Sequence, residues 1–386
     1  MTRLLAVLGT RPEAIKMAPV IRAARDAEGI EVLVASTGQH GEVLDDVLGL
    51  FGIDPDFSLD VMRHGQSLAA LSGRVLSAVE GVLAEAQPDI VMVQGDTTSA
   101  AMAALAAFYA GVRVWHVEAG LRTSDPSLPF PEEMNRRIIG RIAGVHLAPT
   151  PTAERNLLRE GVDPMTILVT GNTGIDGFLQ AQELHPGISD PVLARFAQSA
   201  PLMVATTHRR ENWGEGIRSV ARAMRRLADL HPDLHIVHAA HPNPAVRADI
   251  DEVIGGHERI HVADPVGYGD FALLLGSATV ILTDSGGIQE EAPSLGVPVL
   301  VARGETERVE GVRSGVARLV GTDEEVIYRE AEALLFDEDF RARMASAVNP
   351  YGDGHASVRI VQALAVGGPD GVERFGAPGL IEETHD

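Results

Sequence analysis

The chain has 386 residues, 45% of them hydrophobic, a formal charge of −22 and no cysteine. That length suits two domains of ordinary size, each with its own core, and the absent thiols exclude disulfides, iron–sulfur ligation and thiolate catalysis while fitting a reducing compartment. The acidic excess argues against nucleic acid or an acidic membrane surface as a partner, because no basic surplus is available to release phosphate counterions.

The chain opens with an apolar run at 4–8, too brief for a signal peptide, and a cytoplasmic location is expected. From there short aliphatic runs alternate with longer helical patterns, the signature of a parallel sheet with helices on both faces, so the fold class is α/β. The first half predicts strands at 4–8, 31–36, 90–94, 112–117 and 145–148, with helices at about 14–27, 41–51, 67–86, 98–110 and 131–143. The small-apolar stretch 100–112 falls short of the roughly 20 residues that cross a bilayer and reads as a buried helix. Pro149-Thr150-Pro151-Thr152 opens a further helix, and a Pro-richer stretch at 184–201 holds a short one. The alternation restarts with strands at 202–205, 235–239, 260–262, 279–283 and 298–301, separated by helices near 216–230, 244–254, 270–275 and 288–295. A last helix near 356–366 precedes a Gly-, Pro- and acid-rich segment that reads as a weakly ordered tail. This sets one Rossmann-like domain at 1–180, a second at 181–365 whose last helix is expected to cross back to the first, and a tail at 366–386.

Open parallel sheets bind ligands beyond the carboxyl ends of their strands, so the strand-end loops carry the functional reading. Gly9-Thr10-Arg11-Pro12-Glu13 leads from a strand into a helix and places Arg11 and Lys16 near an anion-friendly helix start. Lys16 is the sole lysine among 32 basic residues; the two cations suit one face of a diphosphate, or else are solvated surface charges. Gly95-Asp96-Thr97-Thr98 and Glu118-Ala119-Gly120-Leu121-Arg122-Thr123 follow later strands, and Asp96 is a candidate catalytic acid or an N-cap. Downstream, Glu132 and Arg136 stand at i and i+4 on one helix face, as site residues or as a surface ion pair.

In the second half, Thr206-Thr207-His208-Arg209-Arg210-Glu211-Asn212 projects a histidine beside two guanidiniums, which suits a hydrogen-bond donor or a proton shuttle. His231, His235, His238 and His241 look like a metal cluster, but strand alternation sends His235 and His238 to opposite faces, so no metal is expected. The most informative segment is Thr283-Asp284-Ser285-Gly286-Gly287-Ile288-Gln289-Glu290-Glu291. Its adjacent glycines let the backbone approach a ligand and its helix-start amides suit a diphosphate, the alternative being a plain turn with a serine N-cap. Glu290 and Glu291 suit a ribose diol, or complement the helix dipole.

These motifs, in order, resemble the non-hydrolysing UDP-N-acetylglucosamine 2-epimerases. The resemblance also takes in Gly38-Gln39-His40, Gln94, His116-Val117, Pro131-Glu132-Glu133 with Asn135-Arg136, His241-Pro242-Asn243, Pro265-Val266-Gly267-Tyr268 with Asp270-Phe271, Thr306-Glu307-Arg308 and Asn349-Pro350-Tyr351-Gly352-Asp353-Gly354. It spans residues 1 to about 365 and implies the GT-B fold, two Rossmann-like domains facing across a cleft. It implies reversible conversion of UDP-N-acetylglucosamine to UDP-N-acetylmannosamine, by loss of UDP to a 2-acetamidoglucal and re-addition, in a homodimer with no metal or other cofactor. Carried onto this chain, Asp96, Glu118, Glu132 and His208 form the catalytic group, and Ser285, Gly286, Gly287 and Arg11 bind the diphosphate. Glu291 meets the ribose, Phe271 the neighbourhood of the uracil, and Lys16 and Arg136 supply charge near the reacting bond. The nearest alternative is a hydrolysing epimerase that releases UDP and N-acetylmannosamine.

One departure is coherent. Many bacterial relatives bind a second UDP-N-acetylglucosamine as activator, partly through Gln-His-Arg-Gln and an Arg preceding Gln-Thr-Leu; here those stretches read Gln39-His40-Gly41-Glu42 and Gly65-Gln66-Ser67-Leu68. Guanidiniums give way to glycines and a carboxylate replaces an amide, so weak or absent activation is expected, although Gln39, Arg209 and His241 still match that site.

Overall fold

The computed structural model describes residues 1–38, 41–123, 125–240 and 243–376. The chain divides into two compact units, Met1–Gln180 joined by the segment that begins at Tyr351, and Ala181–Pro350.

The first unit runs β1 (Thr2–Leu8), α1 (Arg11–Arg25), β2 (Ile30–Ser36), α2 (Gly41–Leu50), β3 (Phe57–Ser58), α3 (Leu68–Ala86), β4 (Ile90–Gln94), α4 (Thr98–Tyr109), β5 (Arg113–Val117), α5 (Glu132–Ile142), β6 (Val145–Ala148), α6 (Pro151–Arg159) and β7 (Ile167–Val169), before α7 (Thr173–Leu184) leads out of it. Its strands form one seven-stranded parallel sheet in the order β3-β2-β1-β4-β5-β6-β7. The apolar runs of β1 and β4 lie at its centre and are covered on both faces, which is why they are continuously aliphatic rather than alternating. Helix α4 is rich in alanine because it lies flat on the sheet, its Ala101, Ala103, Ala104 and Ala107 wholly buried beside Val79 and Val93.

The second unit runs α8 (Pro191–Ala197), β8 (Leu202–Thr206), α9 (Glu215–Leu230), β9 (His235–Ala239), α10 (Pro244–Ile254), β10 (Ile260–Ala263), α11 (Tyr268–Gly276), β11 (Val280–Thr283), α12 (Gly286–Glu291), β12 (Val299–Val301), α13 (Val309–Ser314), β13 (Ala317–Leu319), α14 (Glu324–Phe336) and α15 (Glu338–Ala345). Its six parallel strands follow the order β10-β9-β8-β11-β12-β13 around a core that includes Met203, Met224, Leu282 and Leu334. The last helix, α16 (Ala356–Val366), belongs to the first unit and packs on α1. Two Rossmann-like parallel sheets in one chain are the architecture of the GT-B class. Among the described residues no helix is long and apolar enough to cross a membrane.

Two differences from the sequence reading have local causes. Helix α1 starts at Arg11, ahead of the expected 14, because Thr10 and Glu13 form a reciprocal capping box. The segment after α16 is not all loose: Phe375 is buried and its amide donates to the Val169 carbonyl at 2.8 Å, fastening that stretch to β7. Residues 377–386 lie outside the described residues.

Candidate active site

In each sheet the strand order reverses once, between β1 and β4 and between β8 and β11. Neighbouring loops diverge at such a point and leave a crevice beyond the strand ends.

In the first unit, β4 ends at Gln94 and β5 at Val117, so Asp96 and Glu118 emerge from adjacent strand ends. Glu118 has φ 65°, a left-handed conformation that costs a non-glycine residue about 1–3 kcal/mol and marks a position held by its surroundings. Its carboxylate accepts Lys16 Nζ on one oxygen and Gln94 Nε2 on the other. The sole lysine is therefore an ion-pair partner of a candidate catalytic acid.

Asp96 is not the cap of α4. Thr97 takes that role, its hydroxyl accepting the Ala100 amide at 3.0 Å. The Asp96 carboxylate is left for Arg136, whose Nε donates to it at 2.7 Å, while Asn135 Nδ2 holds the Asp96 carbonyl at 2.8 Å. Burial pushes the Asp96 carboxyl above its ordinary value; the Arg136 guanidinium opposes this and the charge of Glu118 adds to it. Lys16, Asp96, Glu118 and Arg136 thus form one interacting cluster. Glu132 begins α5, but Arg136 pairs with Asp96 and Glu133 rather than with Glu132. Arg11 lies in the first turn of α1, beside the cap.

Glu13 and Glu133, two buried acids beside these loops, were given no role in the sequence reading. Glu13 accepts the Gly9 amide (3.0 Å), the Thr10 amide (2.7 Å) and the Thr10 hydroxyl (2.8 Å) on one oxygen and the Thr97 hydroxyl (2.6 Å) on the other, tying the loop after β1 to the loop after β4. Burial raises its pKa against those hydrogen bonds. The Thr-x-x-Glu spacing at 10–13 was its available signal. Glu133 is wholly buried and has no comparable sequence mark.

In the second unit the organising residue is Asp284, fully buried just after β11. Its carboxylate accepts the His208 amide at 2.9 Å, the Arg209 amide at 3.0 Å and Asn212 Nδ2 at 2.9 Å, so it shapes the polar loop that follows β8. The His208 side chain is exposed. Ser285 occupies the N-cap position of α12, and its side chain makes no capping hydrogen bond. Glu290 pairs with Arg308 at 2.8 Å. A methyl group at Gly286 would meet the Arg308 guanidinium carbon at 3.0 Å; Arg308, quoted in the sequence motif without a role, thus lies against the glycine loop. Phe271 is half-buried in the first turn of α11.

His231 pairs with Glu332 at 3.0 Å, and His238 is buried with Nε2 3.0 Å from the Thr207 hydroxyl, its pKa lowered by burial to about 3. Among the described residues no group of three or more such ligands is placed to hold a metal ion. Gln39 and His241, and the side chain of Glu42, lie outside the described residues, while Gly65 sits at φ 69° ahead of α3.

A GT-B protein with a glycine loop at one switch point and cation-matched acids at the other has the parts of a nucleotide-sugar enzyme. The family model for UDP-N-acetylglucosamine 2-epimerase matches residues 22–365, and the chain belongs to that family. It is 46% identical over 369 residues to the UDP-N-acetylglucosamine 2-epimerase of Escherichia coli K12, covering 94% of this chain and 98% of that one. A crystal structure of a Listeria monocytogenes protein superposes with a TM-score of 0.91 at 44% identity, covering 97% of this chain and 99% of that chain. The Neisseria meningitidis UDP-GlcNAc 2-epimerase, solved bound to UDP-GlcNAc, gives 0.81 at 40% identity, covering 95% and 100%.

Proposed function

We propose that this chain interconverts UDP-N-acetylglucosamine and UDP-N-acetylmannosamine without hydrolysis. The observation that carries the reading is the cluster of two acids each matched to a cation, Glu118 with Lys16 and Asp96 with Arg136, beside a loop that leads to a third acid, Glu132. A hydrogen on carbon 2 of a sugar is barely acidic, so its removal has to accompany departure of a good leaving group. A carboxylate takes the carbon 2 proton while the bond from carbon 1 to the UDP oxygen breaks; UDP leaves with the electron pair and a 2-acetamidoglucal remains. Return of UDP to carbon 1, with a proton delivered to carbon 2 from the opposite face, completes the inversion.

In this scheme Asp96, Glu118 and Glu132 serve proton transfer with His208 as donor or shuttle, and Lys16 and Arg136 stabilise charge near the reacting bond. Ser285, Gly286, Gly287, Arg11 and Arg308 hold the diphosphate, Glu291 the ribose hydroxyls, and Phe271 packs near the base. UDP bound in this way is preorganised as a leaving group, which favours elimination over simple exchange with water. Weak or absent activation by substrate belongs to the same proposal; its support is Gly41, Glu42 and Gly65 where many relatives carry a more cationic set.

Incubation with UDP-N-acetylglucosamine in deuterated water is the test. The expected products are both nucleotide sugars, with deuterium at carbon 2. Free N-acetylmannosamine with UDP instead identifies a hydrolysing enzyme, and no exchange at carbon 2 excludes epimerisation.

A further inference from the structure

We infer that Glu133 is a positioning residue, which holds Arg136 in the orientation from which Arg136 grips Asp96. The inference deepens the proposed function and rests on its reading of Asp96 as a working acid.

The Glu133 side chain is 0% exposed, yet it carries a carboxylate, and a buried carboxylate persists only where donors surround it. One oxygen accepts the Thr123 amide and Arg136 Nη1, both at 3.2 Å, and the other accepts Arg137 Nε at 2.9 Å. Arg136 is itself only 15% exposed, and its Nε and Nη2 each lie 2.7 Å from the same Asp96 oxygen. The guanidinium plane is thereby pinned between two carboxylates, one buried and one at the strand end. A guanidinium presents its donors in a fixed fork, so orienting one edge on Glu133 orients the other on Asp96. The Thr123 contact adds the loop that starts at Glu118 to the same anchor, and Asn135 on the same helix holds the Asp96 backbone. Arg137 is the closer but more exposed partner, at 37%, and Arg136 the more buried one, at 15%.

Glu133 also stands in the first turn of α5, where any acid complements the helix dipole. Dipole complementation and positioning predict different titrations for Asp96. The charged groups acting on Asp96 are Arg136 from α5, Glu118 beyond β5 and Lys16 from α1. Glu133→Gln keeps an oxygen for Arg136 and Thr123 while removing a negative charge, so Arg136 acts on Asp96 undiminished. Glu133→Ala removes the anchor and lets Arg136 drift, so Asp96 keeps its burial and loses its cation.

The experiment measures kcat and KM of the full chain across pH for the wild type and both variants, with thermal melts alongside. In Glu133→Gln the acid limb is expected to move down by about half a pH unit with kcat within about tenfold of wild type. In Glu133→Ala it is expected to move up, with kcat lower by about 10²-fold and KM little changed. Acid limbs that stay at the wild-type position in both variants overturn the inference, whatever the loss of rate or stability. Should the alanine variant not fold, an unmoved limb in Glu133→Gln is sufficient to overturn it. The same order of Asp96 titrations, read from its side-chain carbon-13 shift in unliganded protein and assigned with Asp96→Asn, tests the anchor without turnover. If the wild type does not epimerise, that result counts against the proposed function, and the Asp96 titrations still decide the anchor.

Discussion

The acids and cations of the first unit differ in how they could be found. Asp96, Glu118 and Lys16 are polar residues at strand ends or in the helix that follows one, and such positions can be read from hydropathy alternation. Glu13 and Glu133 look like ordinary acids of a helix first turn, and only the packed structure reveals that both are buried and bridge separate loops. His116 is a similar case. It is buried on β5, its ring Nε2 lies 2.7 Å from the Gly95 carbonyl next to Asp96, and burial lowers its pKa from 6.5 to about 4. The unfolded chain binds a proton that folded His116 refuses, so its stabilising share is complete above about pH 6.5 and is lost as pH falls toward about 4. Glu13 and Asp176, raised by burial, act in the opposite sense. A variant is therefore the clean comparison. His116→Gln can keep a donor for the Gly95 carbonyl and has no such titration, so its melting temperature should fall less than that of the wild type between pH 7 and pH 5. Parallel curves for the two proteins would refute the assignment.

At the scale of elements, most strands and helices were legible, while the shortest strands and several helices, α7 and α14 among them, were not. Strands β3, β7 and β13 have two or three residues each, too few for a hydropathy period, and exist because a neighbouring strand offers them a ladder. The stretch between β12 and α16 holds α13, α14 and α15, none of which the sequence reading named, although Asp323 and Asp337 cap two of them through their side chains. Tertiary fit also decides which turns tolerate change. Gly120 has φ 89°, and a methyl group there would stand 2.2 Å from the Ala153 carbonyl oxygen of α6. Gly120→Ala is expected to cost at least about 3 kcal/mol, because the new carbon meets rigid backbone in a conformation that alanine avoids. Urea unfolding measures it, and a loss under about 1 kcal/mol would show that α6 yields.

For the whole molecule, the family match over 22–365 spans most of both sheets. In a protein of charge −22 the cations of the first unit are matched to acids at the strand ends, Lys16 to Glu118 and Arg136 to Asp96. An enzyme that depends on a second nucleotide sugar starts slowly from pure UDP-N-acetylmannosamine and accelerates as product appears. The progress curve of this chain is expected to be linear from the outset, and a pronounced lag abolished by trace UDP-N-acetylglucosamine would reverse the proposal of weak activation.

The sequence by itself determined the α/β class, the alternation of strands and helices, the family, and most of the strand-end loops named for the site, because hydropathy period and ordered motifs are local properties of a chain. Only the tertiary structure decided which acids are buried, that Arg136 turns from Glu132 to Asp96, that Lys16 answers Glu118, and that Asp284 shapes the His208 loop. Those facts depend on segments about 40 to 100 residues apart meeting at strand ends within each unit, and no local pattern encodes the distance between them.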